Sequence, residues 1–432
     1  MLNLNQGEFG RAWPFFALYL VLFAAFSVAD GTALALFVDR LGAAALPTAY
    51  AGVAAANLAF IGGYVWLADR VGWPRTFALI LGPAALVFIA AWGAIRWGDG
   101  GDGWFAALFV TREVALTLVL MHFGTYLQGY FTRDELNRIL PVAYAGGRIG
   151  GIAGGWLLAR LSGPVGLVDL LPLIVGLCGI ALAMVAVMSR RVMPVDDSAE
   201  GPSEAPEAER AACQSVGGFF RFARTSPVLF WATAGSFLFM VCRWFLNYQY
   251  SHFFADHFHD PAALAAFIGR YTQWALAGAL VVQLFALNRV VAWVGVGGAY
   301  LGLAVLVGSA AVAAAVPMTL GLAVYCRLVE TELRYGVRNP LMQLVTNTFS
   351  KPLRIRVRAW TMGVLTPAGT LTASAALWTL TRTGAAEWVG GVGLGVAIAH
   401  LLAAMGLRRA LRSRVVPSPN ASGTRPSAVP HA

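Results

Sequence analysis

Arg327, Glu330, Glu332, Arg334 and Arg338 stand inside a stretch, 316–347, that is otherwise long and apolar enough to cross a bilayer. A charge near the centre of a membrane helix costs about 2.5 to 3.5 kcal/mol even on a lenient insertion scale, so such residues face a protein interior or a water-filled path. The i, i+3, i+7 spacing of Arg327, Glu330 and Arg334 predicts one shared helix face, with Glu330 bridging both arginines and Arg338 continuing the stripe. Glu332 points elsewhere, toward a neighbouring helix. Two more helices repeat the theme: Arg243, Asn247 and Tyr250 share a face beside Trp244, and Arg270, Gln273 and Trp274 share another. A guanidinium offers a planar fork of donors suited to carboxylate or phosphate oxygens, and an aromatic ring offers a surface for a planar group. The chemistry that suits this set is reversible binding of a nucleotide or similar anion. The competing readings are an internally neutralised ladder that only fixes packing and, for a chain with 14 Trp, ordinary lipid contact.

Further charges fall within apolar stretches: Asp30, the adjacent pair Arg112 and Glu113, and Arg148 among glycines. At ~1.5 Å per residue, Arg112 and Arg148 lie about 12 Å and Arg327 about 16 Å from the nearer ends of their helices. Arg112, Arg148, Arg243, Asn247, Arg270, Arg327 and Arg334 are therefore the candidate anion-binding residues. Asp30, Glu113 and Glu330 are candidates for proton coupling or, in preference, for pairing with the arginines. His122 and His252 read as isolated polar residues that find local partners. His257 and His259, in ADHFHD, are weak evidence for metal. Neither a GxxxxGK[ST] phosphate loop nor a nucleophile with a positioned base occurs, so the expectation is neither an enzyme nor an ATP-driven pump, with no cofactor and no metal. Cys178, Cys213, Cys242 and Cys326 show no pairing or ligand spacing.

The elements that must position these residues are membrane helices. The chain is 58% hydrophobic and 12% charged with a mean hydropathy of +0.67, about half the charge of a soluble domain. Apolar stretches of about 20 residues recur from 12–38 to 389–407 and predict an all-α protein with twelve spans. Only Pro317 divides the apolar run over 295–346, which still reads as two helices because one would be too long. Arginines crowd alternate loops, a positive-inside pattern that predicts both termini cytoplasmic in a multi-pass plasma (inner) membrane protein. The net charge of +10 then reflects topology and lipid contact, with no nucleic acid as partner. The first apolar segment is too long for a cleaved signal and is expected to stay as a helix.

Residues 189–226 break the pattern with a Pro-, Ser-, Glu- and Ala-rich stretch that reads as a flexible cytoplasmic linker. Its last part, GGFFRFART, reads as an amphipathic lead-in at the membrane surface. The predicted organisation is a six-helix bundle over 1–188, the linker over 189–226, a second six-helix bundle over 227–411 and a disordered tail over 412–432. The halves correspond at a shift of 218 residues: Phe131, Thr132, Arg133, Arg138 and Ile139 match Phe349, Ser350, Lys351, Arg356 and Val357, and Gly151 matches Gly369. Arg112 falls opposite Glu330 in the same register. Parallel six-span repeats are the mark of carriers that rock two halves about a central site. In the fifth span, Gly146, Gly150 and Gly154, with Gly147, Gly151 and Gly155, form two GxxxG series that let helices approach closely.

With six plus six spans, a long central loop and LADRVGWPR at 67–75, the chain resembles the major facilitator superfamily; Asp69, Arg70 and Gly72 fit that family's loop motif, while Val65 departs from its glycine. The resemblance implies alternating access, with helices one, four, seven and ten lining a central cavity and Asp69, Arg70 and Arg138 in gating loops. Two segments, 112–155 and 334–369, resemble more narrowly the nucleotide-transporter, ATP/ADP exchanger-like branch through Glu113, Arg138, the glycine-rich fifth helix, Pro367 and Gly369. Exchangers of that branch bind nucleotide with membrane lysines, whereas this chain has a single lysine, Lys351, in a loop. The expected function is a secondary transporter, an antiporter for a small organic anion such as a nucleotide or other organophosphate, acting as a monomer in the lipid bilayer. The alternatives are a proton-coupled carrier for another organic anion and a non-transporting membrane scaffold or sensor.

Overall fold

The computed structural model describes residues 8–98, 100–191 and 206–415. Because no water satisfies backbone groups in hydrocarbon, apolar crossings must be helical, and the described chain is helical almost throughout. The first half comprises α1 (Glu8–Leu41), α2 (Leu46–Val71), α3 (Trp73–Trp97), α4 (Asp102–Gln128), α5 (Arg133–Leu161) and α6 (Leu171–Arg191). Two short helices follow, α7 (Glu207–Gln214) and α8 (Val216–Thr225). The second half comprises α9 (Pro227–His257), α10 (Pro261–Val281), α11 (Leu287–Ala315), α12 (Leu320–Arg327), α13 (Asn339–Thr346), α14 (Lys351–Trp360), α15 (Thr366–Arg382) and α16 (Val389–Val415). Continuous π-helical turns join α12 to α13, which form the tenth span, and α14 to α15, which form the eleventh.

Eight helices among the described residues are long and apolar enough to cross a membrane. The other four crossings are those that charge or π turns interrupt: α5, α10, and the tenth and eleventh spans. The expected division near Pro317 holds, since helix stops between Ala315 and Leu320. Gly72, at φ 81°, turns α2 into α3. Gly295, at φ 72°, bends α11 in the same way near its start, and only glycine adopts that conformation without cost.

The packing repeats between halves. α1 packs on α5 and α6 as α9 packs on α15 and α16, and across the seam α5 meets α10 as α15 meets α2. The two glycine series divide this labour. A Cβ on Gly146, Gly150 or Gly154 would lie 2.2, 2.0 or 2.4 Å from the α1 carbonyl oxygens of Phe16, Leu20 and Ala24, so this series clasps α1 inside the first half. A Cβ on Gly155 would lie 2.7 Å from the Gly269 carbonyl oxygen of α10, and one on Gly151 would strike Leu276. Gly151 and Gly155 thus form the crossing between halves, whereas Gly147 of the same series meets Tyr19 on α1.

Part of the expected linker is ordered structure. Residues 192–205 lie outside the described residues, as do 416–432 of the expected tail, but α7 and α8 dock on the second half. The Ser350 amide donates to Glu209 Oε2 at 2.8 Å, and Arg356 Nη1 donates to the carbonyls of Ala212 and Ser215 at 2.5 and 3.0 Å. The expected surface helix packs its aromatic residues on the second half: buried Phe219 and exposed Phe220 meet Trp360 edge-on, and Phe222 meets Phe349. The repeat explains the Glu209 contact. In the first half Glu135 caps its own helix by accepting the Thr132 amide at 2.9 Å while pairing with Arg11 at 2.6 Å. At the equivalent position the second half has Leu353, and Glu209 supplies the missing carboxylate from α7.

Candidate functional site

Four helices bring a chain of alternating charges to the middle of the seam. Asp30 of α1 accepts from Arg112 Nη1 of α4 with one carboxylate oxygen and from Arg327 Nη2 of α12 with the other, the latter at 2.6 Å. Arg112 also reaches Glu113 Oε1 at 3.0 Å, and the same oxygen takes Arg243 Nη2 of α9 at 3.3 Å. Arg243 Nε in turn donates to Glu330 Oε1 at 2.5 Å. The second oxygen of Glu330 accepts from Tyr250 Oη at 2.9 Å and from Thr331 Oγ1 at 2.5 Å. Beyond it, Asn247 Nδ2 donates to Tyr250 Oη at 2.5 Å, and Tyr50 Oη of α2 donates to Asn247 Oδ1 at 2.7 Å. Arg327 lies over the Tyr250 and Tyr271 rings, and Arg243 over Trp244 at 4.2 Å.

This centre is balanced and nearly dry. Arg112, Arg243 and Arg327 face Asp30, Glu113 and Glu330, three cations against three anions. The arginine and glutamate side chains are 1 to 8% exposed, whereas Asp30 is 31% exposed. A separate bridge, Arg148 Nη1 of α5 to Glu332 Oε2 at 3.2 Å, joins the halves a few residues away. Asp30, Glu113 and Glu330 each pair with at least one arginine. The surplus positive charge sits instead on Arg334, whose Nη2 meets Tyr335 Oη, and on Arg338, which lies over Phe239.

The one-face ladder is corrected by backbone geometry. Leu328–Glu332 and Arg334–Arg338 are π-helical, with i→i+5 bonding and more residues per turn than an α-helix. Positions 327, 330, 334 and 338 therefore fan out. Glu330 bridges to Arg243 on α9 and not to Arg327 or Arg334 through hydrogen bonds, while Glu332 reaches a neighbouring helix as expected. Arg270 is also not brought to the cluster: it is exposed on the same side of α10 as Trp274, which is 81% exposed. The buried side of α10 contributes Tyr271 instead. Of the expected gating residues, Arg70 is exposed at the end of α2, and the side chains of Asp69 and Arg138 lie outside the described residues. His122 is satisfied locally, by Tyr64 Oη at 3.1 Å and the Trp73 carbonyl at 2.8 Å.

Tyr50, Tyr271 and Tyr335 were not anticipated. Tyr50 is a hydroxyl-bearing ring in a helix otherwise rich in alanine, a faint signal; nothing in the local sequence separates the other two from lipid-facing aromatics. An apolar hollow lined by Pro14, Ile180, Met184 and Val187 lies on the flank of α1 and α6, remote from the charges.

No family model matches the chain, and no curated protein matches its sequence. Solved structures do resemble it. A point mutant of the nucleoside transporter NupG aligns with a TM-score of 0.66 at 12% identity, over 92% of this chain and 99% of that one. The POT family transporter PepTSo aligns at 0.65 and 12% identity, over 93% and 98%. The human organic anion transporter MFSD10 (TETRAN) aligns at 0.59 and 15% identity, over 93% and 100%. Likeness at such low identity, end to end in every case, establishes the architecture of this multi-pass membrane protein: two six-helix bundles in the major facilitator fold.

Proposed function

We propose that the chain is a secondary transporter that moves a small organic anion, a nucleotide or other organophosphate, by alternating access. The observation that carries this reading is the convergence of Arg112, Arg243 and Arg327 in the middle of the seam between halves, each hydrogen-bonded, among the described residues, to carboxylates alone. An incoming polyanion offers the same oxygen chemistry as Asp30, Glu113 and Glu330 and can replace them on the guanidinium forks. Asp30 is the most exposed member and bridges Arg112 and Arg327 from the two halves, so it is the first to be displaced. Tyr50, Trp244, Tyr250 and Tyr271 border the cluster and suit a ring-bearing substrate. The structural neighbours include carriers of nucleosides and organic anions, and the resemblance of 112–155 and 334–369 to the nucleotide-transporter branch narrows the class to phosphorylated anions.

In this reading 1–188 and 227–411 are the moving bundles, 189–226 joins them, and both termini lie in the cytoplasm beneath the inner membrane. Uptake and exchange of labelled ATP, ADP and other organophosphates by the intact protein in proteoliposomes tests the proposal. Flux of at least one is expected, and its absence across the series overturns the phosphorylated-anion assignment.

The full pairing of the central charges favours a second reading, a fixed membrane scaffold whose ion pairs lock the halves together. A carrier interconverts two forms, so substrate changes the reactivity of cysteines placed on either side of the seam; a scaffold leaves it constant. Proton coupling through Asp30, Glu113 or Glu330 is separated from strict exchange by driving flux with a pH gradient alone.

A further inference from the structure

The second half holds a polar cluster that the seam does not use. Arg338 departs from the tenth span into the body of that half. Its guanidinium carbon lies 4.3 Å from the centre of the Phe239 ring, and the residue is 7% exposed. Tyr300 of α11 and His400 of α16, both fully buried, stand with ring centres 6.0 Å apart, and both interact electrostatically with Arg338. The Phe239 ring is 5.8 Å from that of His400. Gly235 admits the Tyr300 hydroxyl, which lies 3.0 Å from where a Cβ would stand.

Among the described residues, these groups are met only by one another and by backbone: Tyr300 faces Arg338, and His400 faces the Gly235 carbonyl. Arg338 Nε, Tyr300 Oη and both ring nitrogens of His400 make no hydrogen bond of ordinary geometry among the described residues, nor does Ser236 Oγ beside Gly235. The ion pairs inside the membrane engage Asp30, Glu113, Glu330 and Glu332 with other arginines and leave Arg338 without a carboxylate among the described residues. At ~1.5 Å per residue it lies about 12 Å from the end of α13. Arginine does not shed its proton in proteins, and an uncompensated buried charge costs several kcal/mol. Every group around the cluster can donate a hydrogen bond: guanidinium N–H, phenol O–H, imidazole N–H and serine O–H. The acceptors that face Arg338 and His400, the Tyr300 hydroxyl oxygen and the Gly235 carbonyl, are neutral, so only a further acceptor with negative charge can balance the guanidinium.

We propose that Arg338, Tyr300 and His400 hold a small monovalent inorganic anion, of chloride size and charge, inside the second half. A single cation and full enclosure select against multivalent or larger oxyanions. The bound anion neutralises Arg338 and ties the tenth span to α9, α11 and α16, independently of whatever the seam binds.

The test is thermal unfolding of the full-length protein in detergent, in sodium chloride against sodium gluconate at equal ionic strength. Chloride is expected to raise the melting temperature by a few degrees and to saturate, as ligand linkage requires. Arg338→Gln should diminish or remove that rise. Tyr300→Phe should shift half-saturation upward about fivefold, the loss of one hydrogen bond. Equal melting of the wild type in the two salts overturns the site, as does a chloride response undiminished in Arg338→Gln. If Arg338→Gln fails to fold, Tyr300→Phe decides: an unchanged half-saturation overturns the proposal.

Discussion

Replacing Arg327 by alanine leaves Asp30 with Arg112 alone and removes the guanidinium that lies over Tyr250 and Tyr271. If the proposed function holds, anion transport should fall to background, while the variant should still fold, because Asp30 keeps its second partner. Proteoliposome uptake beside size-exclusion profiles reads both. A pH-dependent term arises outside the membrane, at Glu135. Partial burial alone would raise its carboxyl, but the Thr132 amide and the Arg11 guanidinium outweigh burial and hold it below the usual carboxylate range. A depressed folded value contributes stability that is present above the unfolded value near 4.5 and is lost as pH falls through the folded one. Glu135→Gln keeps an amide oxygen for the Thr132 cap but loses the charge that pairs with Arg11, so it should melt slightly below wild type at pH 7, within the ~1 kcal/mol of an exposed pair. The gap should close as the pH falls from 4.5 through the lower, folded value.

At the scale of the element, the helices differ in what holds them. Gly150 touches the α1 backbone, so Gly150→Val places branched carbon against the Leu20 carbonyl and forces α5 away from α1. Overpacking of this kind costs about 1 to 3 kcal/mol or more, and a lower melting temperature with reduced yield is expected. The α7 dock is a second element-scale contact. Glu209→Ala leaves the Ser350 amide uncapped and the α7 to α14 contact with Arg356 alone. A loss of about 0.5 to 2 kcal/mol is expected, together with faster limited proteolysis within 206–226. Unchanged cleavage would mean that Arg356 and the aromatic contacts of α8 hold the dock unaided. The π turns of the tenth span show how an element redirects chemistry. With α-helical spacing Arg327, Glu330 and Arg334 would share one face; with π turns Glu330 joins Arg243 and Arg338 enters the second bundle.

For the molecule as a whole, the halves meet through α5 with α10 and α2 with α15, and hydrogen bonds such as Ser374 Oγ to the Pro47 carbonyl at 2.5 Å and Tyr50 to Asn247 close one end of the seam. In the proposed alternating-access cycle, rocking of the halves separates Tyr50 from Asn247. Cysteines at these two positions, in a background without the four native ones, should cross-link with a short bifunctional thiol reagent and stop flux. A cleavable reagent should restore flux on reduction. Full transport in the cross-linked protein would remove this end of the seam from the transport cycle.

Membrane class, helix number and the two-bundle repeat were legible in the linear chain, because hydrophobic span length, turn residues and a 218-residue register are local or periodic properties. So were most residues of the charged centre, since an ionisable side chain in an apolar run announces itself wherever it points. Pairing was not legible. It depends on which helices the close glycine crossings bring together and on π turns that no spacing rule anticipates, so Arg243 with Glu330, Arg148 with Glu332 and the exposure of Arg270 emerged only on folding. Glu209 was hidden for the same reason: its partner lies 141 residues away, and a capping contact made in trans leaves no local pattern. Charge and hydropathy are carried residue by residue along the chain, whereas the neutralisation of each charge is a property of packing.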